Sequence, residues 1–141
     1  MNPDVTTLEG LHVIANELCR KHWGVDYTGT IELVNRDWSC MNACFISNRA
    51  KGTQKIRMST KVNTRRPKED VIGTLLHELV HWRLWTQEVP HSDVAYEFIA
   101  ECIRVGAPIS RTRSAQDAYK RYLLIRMFEE RTGKKFDEEV S

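Results

Sequence analysis

The stretch Val71-Ile72-Gly73-Thr74-Leu75-Leu76-His77-Glu78-Leu79-Val80-His81-Trp82-Arg83-Leu84 decides how this chain is read. It holds an H-E-x-x-H segment, His77 to His81, inside an apolar run. Residues four apart share one face of a helix, so both histidines can offer a ring nitrogen to one zinc ion. Glu78 stands beside them, where its carboxylate can take a proton from an attacking water. This chemistry needs a helix, and the local sequence predicts one over residues 67–85. Pro67 suits a first turn, Glu69 and Asp70 favour its positive end, and Val71, Leu75, Leu79 and Trp82 form an apolar stripe. A histidine pair on a helix can also be ordinary packing. Here three of the five histidines, His77, His81 and His91, fall within residues 77–91, which favours a metal site.

The rest of the chain sets the context. With 141 residues, 41% hydrophobic and 28% charged, it reads as one globular domain able to bury a core. No apolar run approaches a membrane span, so no membrane partner is expected. Residues 1–10 lack the basic-then-apolar pattern of an export signal, so a cytoplasmic protein is expected. The four cysteines should then be reduced, and Cys40 and Cys44 read as small residues in or near a strand rather than zinc ligands.

Helical spacing over residues 8–23, closed by Gly24, predicts an N-terminal helix. Residues 30–35, 41–47 and 54–60 read as three strands, with a turn at residues 48–52 and Ile56 and Met58 on one face. The expected sheet is a small antiparallel meander. After the H-E-x-x-H helix, two further helices are expected over residues 93–105 and 114–131, the first closed by Gly106-Ala107-Pro108. The fold class is therefore α+β.

Beyond these local patterns, the chain resembles the SprT-like zinc metalloproteases. Ile56-Arg57-Met58-Ser59 is similar to the family's last strand. Arg66-Pro67-Lys68-Glu69-Asp70-Val71 leads into the histidine motif as the family's own approach does. Pro90-His91-Ser92 resembles the Pro-His-Gly that carries the third zinc ligand in bacterial members, and Gly106-Ala107-Pro108-Ile109-Ser110-Arg111-Thr112 resembles a later family stretch. The resemblance covers about residues 8–112 and implies a zincin-like catalytic domain; a minimal one is expected, without the cysteine-rich zinc ribbon that many members carry.

A hydrolytic zinc site usually has three protein ligands and one open position. His77 and His81 supply two. His91 is expected to complete the set, as the resemblance implies, ahead of Glu97 and Asp93. Glu97 and Glu101 are one turn apart, as in glutamate-type zincins, whereas Asp93 reads chiefly as a helix cap. The expected activity is zinc-dependent peptide hydrolysis with Glu78 as general base. The resemblance implies a protein substrate associated with DNA. Arg49, Lys51, Lys55, Arg57, Lys61, Arg65, Arg66 and Lys68 form a stretch without an acid that could meet a phosphate backbone. The alternative is a DNA-associated antirestriction or regulatory protein with a structural or vestigial zinc site. An intact Glu78 speaks against it, because a structural site needs no base.

Overall fold

The computed structural model describes residues 3–38 and 42–136. Cys40, the first residue of the expected second strand and the acidic run at 137–139 lie outside them. Helix α1, Leu8–Trp23, forms where it was expected. The Thr7 hydroxyl accepts the Gly10 N–H at 3.1 Å, and Gly24 ends the helix at φ 66°, a conformation that costs glycine little. Its apolar positions Leu11, Ile14, Ala15 and Cys19 are buried.

Three strands follow, β1 (Thr30–Val34), β2 (Ala43–Asn48) and β3 (Thr53–Ser59). They form a mixed sheet in the order β1-β3-β2, not the antiparallel meander expected. Strands β2 and β3 make the antiparallel hairpin, with Phe45 opposite Ile56. Strand β1 instead lies on the far side of β3, parallel to it, with Ile31 beside Ile56. A tight turn between consecutive strands favours their pairing, as between β2 and β3. The link after β1 is long enough to carry the chain past β3, so β2 becomes part of a crossover. The Glu32 carboxylate then meets Lys55 at 3.1 Å and Arg57 at 2.6 Å across the parallel pair.

A short helix, α2 (Thr60–Arg65), starts at what was expected to be the last residue of the third strand and fills the interval before residue 67, begun by the Ser59 hydroxyl accepting the Val62 N–H. Helix α3, Lys68–Thr86, carries the histidine motif. Val71, Leu75, Leu79 and Trp82 pack with α1 and with Ile56 and Met58 of β3 in one core cluster. On another face, Leu76, Val80 and Leu84 pack with Phe98, Cys102 and Val105 of α4 (Tyr96–Val105). A helix apolar on two faces is buried on both. What remains exposed to a cleft is the strip bearing Thr74, His77, Glu78 and His81. Helix α5, Arg113–Thr132, packs on α4 and has Ala115 as its one fully buried residue. No described helix is long and apolar enough to cross a membrane.

Candidate metal centre

Helix geometry brings His77 and His81 together, with ring centroids 5.1 Å apart. Each ring is turned by a backbone carbonyl. His77 Nδ1 donates to the Pro108 carbonyl at 2.7 Å, and His81 Nδ1 donates to the carbonyl of His91. Both Nε2 atoms are thereby directed to one place, as in histidines whose second nitrogen is oriented for a metal. At that place lies Oδ1 of Asp93, 3.1 Å from His77 Nε2 and 3.0 Å from His81 Nε2. Beneath the rings, buried Phe98 stacks on His81 and meets His77 edge-on.

Glu78 completes the group. It is buried, with Oε2 4.0 Å from His77 Nε2, and the Phe45 backbone N–H of β2 favours its ionised form. His77, Glu78 and His81 form a cluster that could hold a metal ion. Burial pushes the Glu78 carboxyl above the usual glutamate range, against the opposing pull of His81 and His77. Burial works against charge on His77, but the Asp93 carboxylate, Cys102, Glu78 and the Pro108 carbonyl outweigh it and push the ring up to about 11. Asp93 is held well below the carboxylate range by hydrogen bonds from His77 and His81.

The structure treats the three candidates for completing the site differently. Asp93 enters with its side chain. The reason is local: α4 begins at Tyr96, not at residue 93, so the Asp93 carboxylate caps no helix and is free to turn to the histidines. His91 enters through its backbone carbonyl, and its ring, 5.8 Å from that of His81, lines the cleft with Nδ1 enclosed and unpartnered among the described residues. Glu97 is exposed on the first turn of α4, away from the cluster, while Glu101 binds the Trp23 indole at 2.6 Å and Arg104 at 2.7 Å. Sequence reasoning gave Phe98, Cys102 and Pro108 no role in the site. Phe98 and Cys102 are four apart, which would have placed both on one face of their helix; nothing local signals the Pro108 carbonyl.

A cleft of about 1120 Å³ opens over the group, between α3, the segment after α4 and residues 42–45. Strand β2 pairs only with β3 among the described residues, so its other edge faces the cleft. An unpaired edge can add an extended peptide as a further strand. The basic stretch is largely engaged within the molecule. Lys55 and Arg57 bind Glu32, Arg65 binds Asp37, Arg66 donates to Thr74 at 2.9 Å, and Arg49 lies over the Trp85 ring at 4.3 Å.

The donor set fits zinc: two imidazole nitrogens and a carboxylate at one point, and a second carboxylate beside them. Comparison with known proteins agrees with this chemistry. The chain matches the SprT-like family over residues 12–114, well over half its length and including the whole histidine motif, and it belongs to that family. No curated protein and no solved structure matches it significantly. Membership supports a metalloprotease-type function in general.

Proposed function

We propose that this SprT-like protein is a zinc-dependent peptidase that cuts extended protein segments, with His77, His81 and Asp93 as the metal ligands. The observation that carries the reading is the convergence of both Nε2 atoms on Asp93 Oδ1 beside a buried glutamate. When bound, zinc would supply the Lewis acidity that polarises the scissile carbonyl. The chain's own groups account for the rest. The free edge of β2 aligns the substrate backbone over the cleft, and segments already folded into helix or sheet cannot pair there. Glu78 takes a proton from the attacking water and hands it to the leaving amine, and its raised pKa suits both transfers. Phe45 of β2 and Glu78 line the same cleft, so base and substrate meet beside the same strand.

The burial of Glu78 favours this reading over a structural zinc site. A carboxylate that is neither a cap nor an ion-pair partner of a Lys or Arg costs the fold stability, and catalysis gives it a use. The reading does not require DNA, since most cations of residues 49–68 are engaged within the molecule.

The test is cleavage of casein by the zinc-loaded protein, with and without a single-stranded oligonucleotide, beside Glu78→Gln. The variant should bind zinc normally and lose at least about a hundredfold in rate. A Glu78→Gln protein that cleaves as fast as wild type would end the proposal. Cleavage only with the oligonucleotide present would restore nucleic acid as a partner.

A further inference from the structure

We infer that the outer face of α5 docks an acidic amphipathic helix of another protein. This inference stands apart from the peptidase reading. Helix α5 lies almost wholly beyond the family-matched residues 12–114 and adds one fully buried residue, Ala115. Its inner side is held to α4 by contacts such as Tyr96 with Tyr122, ring centroids 4.9 Å apart. Its outer side carries Leu123, Leu124 and Met127, which are 42%, 66% and 64% exposed. A helix this long needs only its inner face to be held in place. Three large apolar side chains together on the other face are a binding signal.

Charge selects the occupant. Lys120, Leu124, Met127 and Arg131 follow one another at intervals of four, three and four, so they form a single strip. A cation thus closes each end of the apolar patch. Neither Lys120 nor Arg131 has an ion-pair partner among the described residues, whereas Glu129 and Glu130 are engaged by Arg126. Arg113 and Asp117, earlier on the helix, offset each other in formal charge. The complement is a helix with an apolar pair flanked by acids one turn away on each side.

The same strip argues against a second copy of this chain. In a two-fold antiparallel pair centred between Leu124 and Met127, Lys120 would face Arg131 of the second copy. A parallel pair would set each cation beside itself. Both arrangements oppose like charges. A lipid surface fits less well, because a helix lying in a membrane interface carries apolar side chains along its length, and here they span little more than one turn.

The probe is a synthetic amphipathic helical peptide with two leucines flanked by glutamates, followed by fluorescence anisotropy with the full chain. A copy with lysines in place of the glutamates is the control. The acidic peptide should bind and the lysine peptide should not. Leu124→Ser with Met127→Ser leaves the charge unchanged and should weaken binding at least about tenfold. Both side chains are exposed, so the variant should fold, and an unchanged circular dichroism melt would establish that. Absence of peptide binding, or binding indifferent to the double substitution, would overturn the inference. So would sedimentation as a dimer that the double substitution abolishes, or a stronger α5-dependent affinity for phosphatidylserine vesicles.

Discussion

The Phe98 ring lies face to face with the His81 imidazole, with centroids 4.0 Å apart and planes inclined by 19°. The same ring meets His77 edge-on at 5.0 Å. One buried side chain from α4 therefore braces both histidines of α3, while two backbone carbonyls set their rotation. Phe98→Leu should retain the fold at a cost of about 1 kcal/mol, because its volume is similar. It should nonetheless weaken zinc binding roughly tenfold, as the loss of ring support would. Phe98→Ala should cost about 3–5 kcal/mol. Zinc titration with a competing chelator, alongside thermal melts, checks both; unaltered zinc affinity in Phe98→Leu would show that the stack does not orient the ligands.

Asp93 and His91 make opposite contributions, one through its side chain and the other through its backbone. Asp93→Ala should lower zinc affinity by at least about a hundredfold, more than the loss of a supporting residue. His91→Ala retains the carbonyl that turns His81 and should change affinity by less than about tenfold. The reverse order in the same chelator titration would make the His91 ring the third ligand.

Gly73 sits one turn before His77, where a Cβ would lie 3.6 Å from Pro108 Cδ, an ordinary contact. Gly73→Ala should therefore fit and stabilise α3 by about 0.5–1 kcal/mol. Gly73→Leu should push Pro108 away, loosen its carbonyl from His77 and weaken zinc binding roughly tenfold. Thermal melts and zinc titration check both: Ala should raise the melting temperature and spare zinc affinity, and Leu should lower both; a Leu variant with unchanged zinc affinity would show that the Pro108 carbonyl does not orient His77.

Glu101 gives a pH test away from the metal centre. Hydrogen bonds from Arg104 lower its pKa from the ordinary 4.5, with a further contribution from the Trp23 indole, against the effect of burial. A depressed folded-state pKa means that ionised Glu101 favours the fold. That stability is fully present above the unfolded value and is lost as pH falls through the folded one. Glu101→Gln should thus be less stable than wild type near neutrality by roughly 1–2 kcal/mol. The gap should close as the medium is acidified below the ordinary glutamate value. Urea unfolding across that range checks it, and a gap independent of pH would assign the loss to packing.

The four long helices and the facing pair of histidines were legible in the sequence, though the short helix α2 was not. Their signals are local: apolar spacing along α1 and α3, the Gly24 stop, and two histidines four residues apart. Helical geometry forces those two rings onto one face whatever else the chain does. The sheet order and the completion of the site were decided only by tertiary structure. Strand alternation reports which residues face the core, but it does not report which neighbour a strand chooses. Thus β1 lies parallel to β3 because the long link after it allowed the chain to pass. Likewise His91 and Asp93 are two residues apart in one loop, and spacing alone cannot rank them. The late start of α4 at Tyr96 frees the Asp93 carboxylate, and the packing of Phe98 beneath the rings brings that loop to α3. Where the Asp93 carboxylate turns depends on where α4 begins, and the residue pattern around 93–96 did not mark that start.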